Sequence, residues 1–478
     1  MSEESKKKCG LRKQLAARKY NTPSRLVTWL YNVIGSTVLL PRYAPHIEKE
    51  VDIRDCKGPC IIVWNHLSRV DHLYTMKAAY PLPYNMVAGY SEFFRSHLKM
   101  VFRLNQILPK KVFEQDIPGI KAMSSIIRKG GIVAFSPEGM SSIYGVNQPV
   151  VAGSGRFIQF FRVPIYFLEM RGQYLTSTKH FLEERKGRTE ARLRLLFTPE
   201  ELEAMAPEEI DDRLNEVFRH DEFEWTRANH IRWNMHGRSC EHLNEICYRC
   251  PRCGKELELI AKGDSIRCPS CGNGAVLNDY YEFEPFGADC VLPVSPSKWV
   301  EEERVKVIDE IRSDNDYSFT EHVKLGCLPD DHYIRKQGTS EPCGEGDITF
   351  DHRGIHFRGY KLAGGATAGG RNKKAGERIL NELGAKIKSG APVVVPDGCE
   401  PFSFDLSYEL IYSLVIMTST SQFALYVGGE FYEFFPERPS VGKLLLITEE
   451  MHRLHYNIWK NFKWNDWMYE GKALGIDR

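Results

Sequence analysis

The run Cys60-Ile61-Ile62-Val63-Trp64, flanked by Gly58-Pro59, is apolar at every position and rich in β-branched residues. That is the pattern of a short strand buried on both faces, which needs a sheet covered on both sides. It opens into Asn65-His66-Leu67-Ser68-Arg69-Val70-Asp71. A histidine released at a strand end, with a carboxylate five residues later, can form a base and its orienter. A helix cap or a surface pair uses the same two residues, so the rest of the chain has to decide.

The pattern recurs downstream. Asp71 to Ala79 reads as a helix, Tyr84 to Ala88 as a strand and Ile117 to Lys129 as a helix broken by Gly130-Gly131. Ile132-Val133-Ala134-Phe135 is again a buried strand, ending in Ser136-Pro137-Glu138-Gly139. Phe157 to Phe161 is helical, Val163 to Phe167 a strand, and Ala191 to Phe197 an alternating strand. Thr198-Pro199 and Ala206-Pro207, each followed by two glutamates, open helices. Strand and helix alternating in this way predict an α/β domain over 25–235 with a mostly parallel central sheet. Ligands of such sheets bind at the carboxyl ends of the strands. Glu92 to Asn105 reads as one amphipathic helix with basic and aromatic residues interleaved, suited to a membrane interface or to an ordinary surface.

His66 with Asp71, Pro137-Glu138-Gly139 and Val163-Pro164, with Asn65 and Ser68 beside the histidine, resemble the glycerolipid acyltransferase superfamily. Within it they are similar to the 1-acylglycerol-3-phosphate (lysophosphatidic acid) acyltransferases, over about residues 25 to 220. The resemblance implies transfer of a fatty acyl group from acyl-CoA or acyl carrier protein to the hydroxyl of lysophosphatidic acid. His66 is then the general base, Asp71 its orienter, and backbone N–H groups at the following helix start steady the oxyanion. Glu138 and Gly139 match the acceptor-binding block. A basic residue usually follows that block, but here the run is Met140-Ser141-Ser142. Arg103, Lys110 and Lys111 are the substrate-binding candidates, with Arg156 and Arg162 as substitutes. The acceptor therefore stays open between lysophosphatidic acid, glycerol 3-phosphate, another lysophospholipid and an alcohol or amine. A non-enzymatic membrane adaptor is the competing class.

Cys250-Pro251-Arg252-Cys253-Gly254 and Cys268-Pro269-Ser270-Cys271-Gly272 are matched knuckles, 14 residues apart, with room for a hairpin between them. Four such thiolates predict a closed structural zinc site in a ribbon over 245–280. Cys247, spaced as a pair with Cys250, leaves a second register open. A net charge of +1 gives no electrostatic case for nucleic acid, and none is expected as a partner.

The basic tail 1–24 carries Lys6, Lys7, Lys8, Arg12, Lys13, Arg18 and Lys19 and fits either an anionic membrane surface or a solvated arm. The apolar stretch from Leu26 to Pro41, interrupted by Asn32, Gly35 and Ser36, is short of a bilayer span. It reads as an interfacial or buried amphipathic helix. The expected location is the cytoplasmic face of a membrane, peripheral or monotopic. Residues 281–340 read as a mixed linker, loop-like apart from a helix from Trp299 to Arg312. In 341–478 a hairpin turns at Asp351-His352-Arg353-Gly354, and Gly359 to Gly376 reads as a mobile loop. Strands follow at Phe402–Phe404, Leu410–Thr418, Gln422–Val427 and Glu430–Phe434, then a helix from Val441 to Phe462. This is the outline of a β-rich, pleckstrin-homology-like module. Trp459, Trp464 and Trp467 are expected to pack on its sheet or mark an interface.

Overall fold

The computed structural model describes residues 10–151, 153–335, 338–363, 373–388 and 397–456. The lysines at 6 to 8, the centre of the Gly-rich run with Arg371, and Trp459, Trp464 and Trp467 lie outside the described residues.

Seven strands form the first sheet: β1 (Pro45–Lys49), β2 (Cys60–Trp64), β3 (Tyr84–Gly89), β4 (Leu108–Lys110), β5 (Ile132–Phe135), β6 (Ile165–Arg171) and β7 (Thr189–Phe197). Their order is β1-β7-β6-β2-β5-β3-β4. Every pairing is parallel except β6 with β7. β2 is central and all five of its residues are buried. Cys60, Ile62 and Trp64 enter one apolar core, while Ile61 and Val63 enter the other. This two-sided burial is why the run reads as continuously apolar rather than alternating. The helices Asp71–Ala79, Ile117–Arg128 and Ser154–Phe161 follow β2, β4 and β5.

Four short strands make the ribbon sheet: β8 (Ile260–Lys262), β9 (Ser265–Arg267), β10 (Gly274–Leu277) and β11 (Phe283–Pro285). β8 and β9 form the hairpin between the knuckles. The helix Pro296–Ser313 follows. The last sheet is antiparallel throughout: β12 (Ser318–Cys327), β13 (Glu341–Asp351), β14 (Gly354–Leu362), β15 (Cys399–Leu406), β16 (Val415–Met417), β17 (Gln422–Val427) and β18 (Glu430–Pro436). Its order is β15-β14-β13-β12-β18-β17-β16, and the helix Val441–His455 closes it. The first core is continuous from Trp64 through Tyr248 and Trp299 to Phe350, so the three sheets share one apolar interior.

Four expectations need correction. Glu92 to Asn105 is not one helix: a 3-10 turn, Tyr90–Phe94, and the helix Lys99–Leu104 are separated by Arg95, which bridges to Ile334. That pairing with a distant segment overrides the local helical pattern. The supposedly loop-like stretch after Arg312 holds β12, whose alternation is disguised because Lys324 and His322 face outward between buried neighbours. Only Val415–Met417 of the Leu410–Thr418 run is strand. The ends of the Gly-rich run belong to β14 and to the helix Lys373–Lys388.

Candidate active site

β2 lies beside β5, so the residues that leave their carboxyl ends meet. His66 follows β2 and Glu138 follows β5. Asn65 continues the ladder with its side chain: its Nδ2 donates to the Met170 carbonyl, and its Oδ1 accepts from the Met170 N–H, both at 2.8 Å. The chain therefore turns away at His66 with its strand end fixed.

Asp71 is the first residue of the following helix and is 1% exposed. Its Oδ2 lies 2.8 Å from His66 Nδ1 and accepts the Leu67 N–H at 2.9 Å. Its Oδ1 accepts the Ser68 N–H at 3.1 Å. One carboxylate thus closes the turn and holds the ring. With Nδ1–H given to Asp71, Nε2 keeps its lone pair and is the basic nitrogen. The His66 side chain is 27% exposed, so that nitrogen can meet a substrate. Trp64 packs edge-on against the ring.

Glu138 is 1% exposed and faces the chain itself. Its Oε2 accepts the His66 backbone N–H, and its Oε1 accepts the Gln148 N–H at 2.7 Å. Burial pushes its carboxyl up to about 8, against the two backbone donors that favour the charged form. Ser142 donates its N–H to the His66 carbonyl at 2.7 Å. The backbone of His66 is therefore gripped on both sides by the segment 138–148. Gly139 has φ +74°, and a side chain there would meet Val151, Phe113 and Val112. The loop after β4 thus covers the Glu138 turn.

Three of the five candidate cations, Lys110, Lys111 and Arg162, have other partners. Lys110 Nζ donates to the carbonyls of Lys111 and Glu114, at 2.9 and 3.0 Å, and burial lowers its pKa. Lys111 Nζ donates to the Gly429 carbonyl at 2.5 Å, between the rings of Tyr90 and Tyr426. Arg103 is exposed on the helix Lys99–Leu104. Arg162 pairs with Glu203 at 3.2 Å, and Arg156 is exposed. The sequence places lysines near the turn but cannot show that their ammonium groups are spent on backbone carbonyls. The helix-start N–H groups of Leu67, Ser68, Val70 and Asp71 are likewise used within the turn, against the expectation that they serve an oxyanion. Gln148 and the N–H of Ser142 carry no sequence signal of their part, because they act through the backbone.

The sulfurs of Cys250, Cys253, Cys268 and Cys271 all lie within 4.8 Å of one another. Cys250 and Cys271 are 3.6 Å apart, and Cys253 and Cys268 are 3.7 Å apart. Tetrahedral zinc with Zn–S bonds of about 2.3 Å requires sulfurs about 3.8 Å apart, so this donor set fits the ion. Each knuckle turns on a glycine of positive φ, Gly254 and Gly272, which donates its N–H to the first cysteine's carbonyl. Cys247 is outside the group, buried with its thiol toward the Pro296 carbonyl, which removes the second register.

No protein-family model matches the chain, and no curated protein matches it. Among solved structures the chain is similar to the crystal structure of the 1-acyl-sn-glycerophosphate (LPA) acyltransferase, PlsC, from Thermotoga maritima. The identity is 15% and the TM-score 0.35, over 41% of this chain and 78% of that one.

Proposed function

We propose that the chain is an acyltransferase that moves a fatty acyl group from an acyl thioester to the hydroxyl of lysophosphatidic acid. The observation that carries this reading is the His66–Asp71 pair at 2.8 Å, set at a strand end and gripped through its backbone by Glu138 and Ser142. In the step, His66 Nε2 takes the acceptor's hydroxyl proton as the oxygen attacks the thioester carbonyl. Asp71 stabilises the imidazolium, which returns the proton to the departing sulfur when the C–S bond breaks. Glu138 acts here as a support for His66 rather than as a ligand of the acceptor. A zinc ion held by Cys250, Cys253, Cys268 and Cys271 would be structural.

A different acceptor is the second reading, favoured by the engagement of Lys110 and Lys111 with backbone carbonyls. Glycerol 3-phosphate, other lysophospholipids and uncharged alcohols or amines belong in the same assay. Purified protein is given acyl-CoA or acyl carrier protein thioester with each acceptor, and released thiol is measured. Release that persists in His66→Ala refutes the assignment.

The reading also places the chain on the cytoplasmic face of a membrane. Leu26, Trp29, Leu30, Ile34 and Val38 form an exposed stripe beside Arg25, and Met100, Val101 and Leu104 another beside Lys99 and Arg103. Among the described residues no helix is long and apolar enough to cross a membrane, so the association proposed is interfacial. We keep the proposed domains 25–235, 245–280 and 341–478, but 281–340 is more than a linker, since β11 belongs to the ribbon sheet and β12 to the middle of the last sheet. The antiparallel meander closed by one helix supports the pleckstrin-homology-like outline.

A further inference from the structure

The reaction proposed above turns on where the His66 ring points, and a buried hydroxyl that takes no part in the chemistry holds the backbone beside it. Ser142 donates its N–H to the His66 carbonyl at 2.7 Å. The Ser142 hydroxyl closes the turn to Val146: it accepts the Gly145 N–H at 2.9 Å and donates to the Val146 carbonyl at 2.8 Å. Within that turn, the Ile143 carbonyl accepts the Tyr174 hydroxyl at 2.9 Å. Tyr174 is fully buried, on the short helical turn Gln173–Thr176 that follows β6. Its ring lies against Gly145, where a side chain would come within 3.3 Å of it. Glu222 ties the same two pieces a second time. Its N–H donates to the Gly145 carbonyl at 2.8 Å, and its carboxylate accepts the Gly172 N–H at 2.8 Å. β6 is itself held to the end of β2 by the paired bonds of Asn65 with Met170.

These bonds close a ring of contacts. Asn65 fixes the end of β2 to β6, Tyr174 carries β6 on to Ile143, and Ser142 returns to the His66 carbonyl. A packed tyrosine ring holds its hydroxyl in one place, so the carbonyl bonded to it is held as well. We propose that Tyr174 is a positioning residue for the candidate active site. By holding the Ile143 carbonyl it sets the Ser142 N–H, and through that bond the backbone from which the His66 ring projects. The consequence in rate rests on the acyltransferase reading; the hold on the turn does not.

The test uses the full chain and the variant Tyr174→Phe, which removes the hydroxyl and keeps the ring in the core. Tyr281→Phe is the matched control. Tyr281 is also fully buried, and its hydroxyl donates to the Leu175 carbonyl at 3.2 Å, next to Tyr174 but to no residue of the turn. Amide hydrogen exchange over residues 142–146 is followed without substrate. Urea unfolding gives the stability of both variants, and kcat and KM are measured with acyl-CoA and the acceptor that the wild type turns over. Tyr174→Phe is expected to speed exchange in the turn and lower kcat, each about tenfold, the effect of leaving one buried carbonyl without its donor. KM for both substrates stays within about twofold, because the buried hydroxyl touches neither. Tyr281→Phe is expected to lower the urea midpoint comparably while exchange in the turn and kcat stay within about twofold of wild type. Unchanged exchange in Tyr174→Phe overturns the proposal, and so does faster exchange with kcat unchanged. Equal effects of both variants on exchange and kcat also overturn it, because they mark a general loosening of the core. In a chain whose wild type transfers no acyl group, faster exchange confined to Tyr174→Phe upholds the hold on the turn and refutes the acyltransferase reading separately.

Discussion

Asp71→Asn separates a base-and-orienter pair from a helix cap. The substitution is isosteric, but it replaces two acceptor oxygens by one oxygen and one NH2 group. Three N–H donors converge on Asp71: Nδ1 of His66 and the backbone groups of Leu67 and Ser68. At 1% exposure no water can take over a lost partner. At least one donor therefore meets another donor, costing about 1–3 kcal/mol of stability. If the amide oxygen keeps the backbone groups, the NH2 faces His66 Nδ1 and stabilises the tautomer whose proton is on Nε2. That tautomer cannot accept a proton from a hydroxyl. Loss of general-base action lowers kcat by about 10²–10⁴. Thiol release from acyl-CoA under saturating acceptor measures kcat, and urea unfolding of the same preparation measures stability. A variant destabilised as expected that keeps kcat within about threefold of wild type makes Asp71 a cap alone and refutes the proposed mechanism.

Glu138→Gln tests the grip on His66. The amide accepts one of the two N–H groups and opposes the other, so the variant should lose about 1–3 kcal/mol and most of its turnover. Burial raises the Glu138 carboxyl from its ordinary value near 4.5 to about 8. The stability it contributes is therefore fully present below pH 4.5 and is lost as pH rises through about 8. The deficit of the glutamine variant should accordingly shrink between pH 5 and pH 8, and unfolding curves at both values check this. Gly139→Ala forces an L side chain into φ +74° and against Val151, 3.1 Å from the new Cβ. It should cost about 1–2 kcal/mol in thermal or urea unfolding and lower turnover with it. Elemental analysis should give one zinc per chain. Cys268→Ser or a strong chelator should remove the ion and lower Tm, because the ribbon's donor set then has no centre.

Much of the α/β layer is legible along the chain. Continuous apolar runs at 60–64 and 132–135 announce two-sided burial, and the structure puts both at the centre of the sheet. The knuckles announce their own geometry, since thiolate spacing and a following glycine are local properties. His66 and Asp71 are also local: one turn of chain brings them within 2.8 Å. The parts that resist reading depend on distant partners. Glu92 to Asn105 has a helical pattern yet breaks where Arg95 pairs with Ile334. β12 carries charges on its outward positions and hides among loop-like neighbours.

The sequence by itself determined the chemical groups of the site, the strands that carry them and the four thiolates, because each arises from spacing within a few residues. The tertiary structure alone decided what those groups face. It turned Glu138 inward to hold the backbone N–H of the distant His66 and gave Lys111 to the carbonyl oxygen of the distant Gly429. The reason is physical: the direction of a hydrogen bond depends on where the opposite partner lies in space, and for these residues that partner is far away in the chain.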